Sequence, residues 1–431
     1  MLDLIISYIN FLVIGIVYIV KRLTFNPPIP PLYKSEPTDN EDEDDILFLI
    51  DNKNKKPTYK IIEFRFIDYK FIKLKYSDKE ELPLLLFIPP NHIQVCIIYS
   101  HGNSGDLGAC ILEYYDIAMN TNCLVVSFEY PGYGECLNQP LRESLFYRNI
   151  KMTYIFVRDI LKYQPSQIIL YGFSMGSGIV FDLACNKDFP CAGMVLHSAF
   201  LSIVRTLYNI KKTMYFDFFN SCDKAKFLKT KTFFLHGTKD NVVPFIHGRI
   251  LAKLIPQQYF YGFYKVDNGR HNDLFKMEKE KIFAQIRNFI KDCTGYYSDI
   301  NKDYFSDEKT SSNKYTNSEN NNNSSRNNNT SNNENIIDDN YNYFNKLNNN
   351  KIPNQKIISS NMKESNPLVK HQIIKSDALN NNNYESDTQN LKFLGTFNGH
   401  KVNNFNDNLN NNNNNSFSYN NANTSMNNFY N

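Results

Sequence analysis

From Val95 to Lys291 short apolar runs alternate with stretches of helical period. Val95–Tyr99, Cys123–Phe128, Gln167–Tyr171, Gly193–Leu196, Thr232–Leu235 and Phe260–Val266 are rich in Val, Ile, Leu, Phe and Tyr and read as strands. Between them Cys110–Asn120, Ser144–Tyr163, Ser177–Cys185, Ile246–Leu254 and Asn272–Lys291 read as helices. Near-continuous apolar strands alternating with helices predict an α/β fold, its mostly parallel central sheet covered by helices on both faces. Upstream, Ile61–Phe66 and Phe71–Tyr76 read as a strand pair, and Leu82–Ile88 as a third strand ended by Pro89-Pro90.

Both ends of the chain break this pattern. Leu4 to Val20 carries no charge and is apolar on every face, a run near the lower limit for a membrane span. Lys21-Arg22 closes it, and no small-residue cleavage site follows in Leu23-Thr24-Phe25. A single-pass membrane anchor is expected, with a signal peptide or a core helix as alternatives. The basic pair after the span puts the rest of the chain in the cytosol. Asn26–Pro31 then reads as a stiff spacer, and the acidic run Asp39–Asp45 as a solvated linker or, less simply, a partner-binding patch. From about Thr294 the chain is dominated by Asn, Ser and Lys, and cannot bury enough apolar surface to offset the entropy of ordering. The expected organisation is an anchor at 1–22, a Pro-rich and acidic linker at 23–58, a globular domain at 59–293 and a disordered Asn-rich tail at 294–431.

Charge and cysteine content narrow the function classes. Across 431 residues, 47 Lys+Arg against 44 Asp+Glu leave a net charge of +3, which excludes nucleic acid as a partner held by bulk electrostatics. Lys53–Lys56 and Lys224–Lys231 read as solvated faces. The 8 Cys form no C-x-x-C pair and no Cys/His set with zinc-ligand spacing, so neither a metal nor a cofactor is expected. Several of them sit in apolar runs, as buried thiols of a reducing compartment do.

The candidate chemistry gathers at the carboxyl ends of the expected strands. Gly172-Phe173-Ser174-Met175-Gly176 follows the strand Gln167–Tyr171 and opens a helix, the strand–turn–helix setting of a nucleophile elbow. The plain alternative is a Gly-rich turn with an idle Ser. A Ser hydroxyl needs a base. Of the 8 His, His271 lies in a loop after the last strand, whereas His197 and His236 end strands in apolar surroundings and read as structural. Asp240 lies in the loop after Thr232–Leu235 and is the expected acid, with Asp217, Asp267 and Asp273 as rivals. Ser174, Asp240 and His271 follow the chain order of this architecture. An oxyanion needs two backbone donors. Met175 N–H, just after the Ser, is one. Asn103 N–H, in the loop after Val95–Tyr99, is the other, with Ser104 close behind. Glu129–Gly134 reads as a rigid turn walling the site.

Ser100–Gly108 (SHGNSGDLG), Glu129–Gly134 (EYPGYG), Ile168–Gly176 (IILYGFSMG), Val195–Ser198 (VLHS), His236–Gly248 (HGTKDNVVPFIHG) and Gly269–Asp273 (GRHND) together resemble the α/β-hydrolase domain-containing protein 17 family. The resemblance spans about Leu84 to Asp292. It implies an α/β-hydrolase fold with a short cap, and a membrane-associated serine hydrolase that removes palmitate from cysteines of peripheral membrane proteins. By it Ser174 is the nucleophile, Asp240 the acid and His271 the base, and the partners are the membrane and S-acylated membrane proteins. Two departures accompany it. That family is anchored through N-terminal palmitoylated cysteines, but no Cys precedes Cys96 here. The Leu4–Val20 span resembles instead the related domain-containing protein 13, a single-pass relative, and the Asn-rich tail matches neither. Phe200–Phe227, between two expected strands, is the expected cap, either an acyl-chain surface or ordinary packing. Two other functions remain open: a small-ester or lipid esterase, and a non-catalytic membrane-tethered scaffold. The sequence sets no oligomeric state.

Overall fold

The computed structural model describes residues 24–36, 45–51, 58–61, 64, 67–76, 80–90, 94–207, 210, 213–214 and 217–296, with residues 11, 15 and 19–21 and three short segments of the tail. The strands are β1 (Tyr33–Glu36), β2 (Ile46–Asp51), β3 (Thr58–Ile61), β4 (Asp68–Lys75), β5 (Glu81–Ile88), β6 (Cys96–Ser100), β7 (Leu124–Phe128), β8 (Ile168–Phe173), β9 (Gly193–His197), β10 (Thr232–Gly237) and β11 (Phe260–Val266). Eight of them make the main sheet, in the order β11-β10-β9-β8-β6-β7-β5-β4. From β6 to β11 neighbours run parallel, and β5 and β4 close one side antiparallel.

Burial explains the arrangement. Every residue of β6, β7 and β9 is buried, which requires cover on both faces. Helices Ile111–Thr121 and Leu274–Thr294 cover one face through Tyr114, Ile117, Phe283 and Ile286. Helices Glu143–Ile155, Met175–Ala184 and Phe245–Leu254 cover the other through Phe146, Ile150, Ile179 and Leu251. Ile98, Val126, Leu170 and Leu196 line the sheet at 0% exposure, each worth about 1.5–3 kcal/mol by its burial. The chain passes from β6 to β7 on one side, then returns across β6 to β8 on the other, so Ser100 lies opposite Gly172. Loops leaving the ends of β6 and β8 diverge at this switch point and open a crevice for a ligand.

The structure departs from the sequence reading in three places. Of the expected pair Ile61–Phe66 and Phe71–Tyr76, residues 62–63 and 65–66 lie outside the described residues, and Ile61 does not pair with β4. Instead β3 pairs with β2, which also pairs with β1, in a separate three-stranded sheet. Phe64 turns away to stack on Tyr115 at 5.1 Å and meet Phe87 edge-on at 5.2 Å. Second, the expected linker is not a spacer standing clear of the domain: Phe25, Leu32 and Tyr33 are buried against it, because their apolar side chains find partners there. Third, the Asn-rich tail carries strands β12 (Gln372–Ser376), β13 (Leu391–Phe397) and β14 (His400–Lys401), which continue the sheet beyond β4 where Ile373 faces Lys75. An open strand edge is a template for such pairing, and these segments interrupt the Asn runs with apolar residues. The rest of the tail lies outside the described residues. Among the described residues no helix is long and apolar enough to cross a membrane. Most of the expected anchor, Leu4–Val20, lies outside them.

Candidate active site

β8 ends at Phe173 and the helix Met175–Ala184 begins at Met175, so the chain turns within one residue. That residue, Ser174, has φ 51° and ψ −119°, a conformation an L side chain rarely adopts. Its N–H donates to the His197 carbonyl at 2.9 Å, which anchors the turn to β9. Gly176 permits it: a Cβ there would lie 2.0 Å from the Ser100 carbonyl oxygen and 2.7 Å from that of His101. The turn lifts the Ser174 side chain to the sheet's edge, where it is 8% exposed.

Two loops bring their side chains to it. Ser174 Oγ is 2.9 Å from His271 Nε2, and His271 Nδ1 is 2.8 Å from Asp240 Oδ2. The other Asp240 oxygen accepts the N–H groups of Val242 at 2.9 Å and Val243 at 2.8 Å. Burial alone would raise the Asp240 pKa. Hydrogen bonds from His236 and His271, the charge of His271 and the Val243 amide outweigh it and hold the carboxyl well below the usual carboxylate range. An ionised Asp240 can only accept, so His271 Nδ1 carries the proton. Nε2 is then left to accept the Ser174 O–H. Phe173 packs against the His271 ring at 5.1 Å and restricts its tilt.

Of the rival acids, Asp217 is engaged by the Val204 N–H at 2.9 Å and the Arg205 guanidinium at 3.1 Å. Asp267 pairs with exposed Lys265 at 3.2 Å, and Asp273 accepts the Arg270 N–H at 2.6 Å. His247 Nδ1 faces the Leu201 N–H at 3.4 Å. Sequence reasoning missed His236. Its Nε2 lies 2.9 Å from the Val243 carbonyl and 3.3 Å from Asp240 Oδ2, so Asp240 meets two imidazoles. The four-residue spacing to Asp240 was the available signal. His197, also read as structural, lies under the site. It bonds Tyr171 Oη at 3.2 Å, and burial, reinforced by His271 and His236, pushes its pKa down to about 3.

Met175 opens its helix with its N–H beside the nucleophile, and the helix dipole adds a partial positive charge there. Asn103 lies in the loop after β6. A Cβ placed on neighbouring Gly102 would lie 3.8 Å from the Ser174 Cβ, so this loop borders the Ser. The Glu129–Gly134 turn braces it. Tyr130 Oη donates to the His101 carbonyl at 2.7 Å, and the Glu129 carboxylate accepts the Leu107 N–H at 3.2 Å. Among the described residues no group of three or more His, Cys, Asp or Glu could hold a metal ion. Cys96, Cys123 and Cys136 are buried and unpaired.

Residues 137–294 match the protein family described as Phospholipase/Carboxylesterase. The alpha/beta hydrolase domain-containing protein aho-3 of Caenorhabditis elegans is 30% identical over 239 residues, 55% of this chain and 68% of that protein. Human alpha/beta hydrolase domain-containing protein 17C is 33% identical over 196 residues, 45% of this chain and 56% of that protein. Human protein 17B is 33% identical over 181 residues, 41% of this chain and 60% of that protein. The matches thus span less than two thirds of proteins 17B and 17C. With an eight-stranded, mostly parallel sheet and a Ser raised on a strand–helix turn beside His and Asp, the chain belongs to the alpha/beta hydrolase domain-containing proteins, enzymes of the serine-hydrolase type.

Proposed function

We propose that this protein hydrolyses acyl thioesters or esters through Ser174, His271 and Asp240, and that its substrates are S-acylated membrane proteins. The carrying observation is the continuous Ser174–His271–Asp240 hydrogen-bond chain, at 2.9 Å and 2.8 Å. Ser174 Oγ attacks the acyl carbonyl while its proton passes to His271 Nε2. Asp240 fixes the His271 tautomer and stabilises the imidazolium that forms. The N–H groups of Met175 and Asn103 donate to the oxygen as it becomes negative. The leaving cysteine thiolate takes the proton from His271, and an acyl-Ser174 ester remains. Water, deprotonated by His271, releases the fatty acid and returns the proton to Ser174.

The membrane half of the reading rests on Leu4–Val20 and Lys21-Arg22, an apolar run followed by a basic pair that suits a single-pass anchor with the domain on the cytosolic side. Names of relatives supply only the hydrolase class. A fluorophosphonate probe tests the chemistry: wild type should be labelled and Ser174→Ala should not. Retention of the full chain in membranes after alkaline carbonate washing tests the anchor. Absence of wild-type labelling would leave the non-catalytic scaffold. A second reading, an oxygen-ester esterase, is favoured by the match to a phospholipase and carboxylesterase family. Matched thioesters and oxygen esters of equal chain length separate the two.

A further inference from the structure

Residues 24–36 pack onto the loop that carries Asn103. The Asn26 N–H donates to Asn103 Oδ1 at 3.1 Å, and Asn103 Nδ2 donates to the Thr24 carbonyl at 2.5 Å. The Asn103 side chain is thereby clamped to the backbone on either side of Phe25. Tyr133 Oη donates to the same Oδ1 at 2.6 Å. Phe25 is 4% exposed, stacks on Phe146 at 5.1 Å and meets Phe218 edge-on at 5.7 Å. Farther along, the Leu32 N–H donates to Asp106 Oδ2 at 2.7 Å, and Asp106 Oδ1 accepts the Ala109 N–H at 2.9 Å. Burial and neighbouring Glu129 push the Asp106 carboxyl up to about 7, against the pull of these two amides.

The glycine of the Asp-Leu-Gly motif belongs to the same contact. A Cβ on Gly108 would lie 2.8 Å from Tyr33 Cβ and 2.9 Å from the Leu32 carbonyl oxygen. Both atoms belong to the 24–36 segment, so Gly108 answers to it and not to the reacting carbonyl. The loop itself has little internal support. No backbone N–H from Gly102 to Gly105 finds a backbone acceptor among the described residues.

We propose that residues 24–36 are a positioning strap of the active site, which fixes the Asn103 backbone through Asn103 Nδ2, Asn103 Oδ1 and Asp106. This rests on the serine-hydrolase reading, in which the Asn103 N–H serves the oxyanion. Such a donor must be held in place before the charge appears. The strap supplies that constraint from a segment about eighty residues distant in the chain, as the Asn26–Asn103 separation of 77 shows. It also starts two residues beyond Arg22. An anchor at Leu4–Val20 therefore holds the oxyanion loop close to the bilayer, where an acyl chain leaves the lipid, and not off it on a spacer.

The full-length protein in detergent micelles tests this with Asn103→Ala and Gly108→Ala, assayed on p-nitrophenyl butyrate. Loss of the strap's grip should lower kcat roughly ten- to a hundredfold, since about 1 Å of misplacement costs up to that factor, with KM changed by about twofold or less. A merely structural contact would lower the melting temperature and leave kcat of the folded fraction alone. Wild-type kcat in a folded Asn103→Ala protein overturns the proposal. Wild-type protein provides the test if the variants do not fold. Phosphonylation of Ser174 sets an oxygen between the two backbone donors, and coupling is reciprocal. Hydrogen exchange at the Asn26 and Leu32 amides should therefore slow on labelling. Labelled protein with unchanged exchange at both amides overturns the strap alone. Failure of wild type to take the label overturns the serine-hydrolase reading and the strap with it.

Discussion

His236 Nε2 lies 3.3 Å from Asp240 Oδ2 while it bonds the Val243 carbonyl at 2.9 Å. A carbonyl can only accept, so this nitrogen carries a hydrogen and shares it with the carboxylate. The acid of the site is thus held by two backbone amides and two imidazoles. His236→Ala should lower kcat by roughly tenfold, since it removes a donor that supports a catalytic group without touching substrate, and positioning losses of this kind are of that order. KM should change little. Unaltered kcat in a folded His236→Ala protein would reduce His236 to the strand-end packing role its apolar neighbours suggest.

Ser174 stores strain that the proposed nucleophile role requires. At φ 51° and ψ −119° a side chain is crowded, at a cost of about 1–3 kcal/mol, whereas Gly accepts such angles freely. Gly ordinarily destabilises relative to Ala by about 0.5–1 kcal/mol through chain entropy. Here the strain term should win. Ser174→Gly should melt above Ser174→Ala by a few degrees, at about 2–4 °C per kcal/mol for a domain of this size. Neither variant should take a fluorophosphonate label. A lower melting point for the Gly variant would mean that the turn is unstrained.

The sequence makes β6 to β10 legible because each is buried on both faces and therefore continuous in apolar residues, whereas β11, a half-buried edge strand, shows itself by its aromatic residues. It makes the Ser174 turn legible because the spacing of Gly172 and Gly176 is demanded by close packing. Other features have no local signature. The strap at 24–36 holds mostly Pro and polar residues, and its partners lie 77 and 74 residues away, at Asn103 and Asp106. A period of two or of 3.6 cannot report such contacts. Phe64 misled the reading for the same reason: its apolar character suits an edge strand, yet Tyr115 on a distant helix takes it out of the sheet. Among the histidines, position at a strand end could not separate His236, which turns back onto Asp240, from His197, which does not.

His197 makes stability depend on pH. It is 3% exposed, packs against Phe173 at 4.5 Å, and its pKa is lowered from 6.5 to about 3 by burial first and then by His271 and His236. The folded protein therefore excludes a proton that the unfolded chain binds below pH 6.5. The folding contribution is complete above pH 6.5 and is lost as pH falls from there toward 3. Each unit in that window costs up to about 1.4 kcal/mol. His197→Asn keeps an acceptor for Tyr171 and has nothing to titrate. Between pH 7.5 and pH 5 wild type should lose about 2 kcal/mol more than the variant, as read from urea midpoints. Parallel pH dependences for the two proteins would remove His197 as the cause.

On the proposed long-chain reading, the cap sets how acyl chain length is treated. In Phe200–Phe227 the described aromatic pair Phe218 and Phe219 is buried against Phe25 and Phe146, whereas Leu207 and Met214 are 48% and 42% exposed. The buried pair holds the cap down, and on the proposed reading the exposed Leu207 and Met214 are the residues an acyl chain would meet. Burying a methylene yields about 0.8 kcal/mol, so kcat/KM on a thioester series should rise by at most about fourfold per CH₂ until contact ends. Leu207→Asp costs little in folding, because the side chain is already half in water, yet it places a charge where an alkyl chain would lie. It should depress palmitoyl thioester turnover well below wild type and leave acetyl thioester turnover close to it. Matched oxygen esters run in parallel show whether the leaving thiol matters. A preference for acetyl or butyryl groups that Leu207→Asp does not alter would reject long-chain deacylation and leave a small-ester hydrolase.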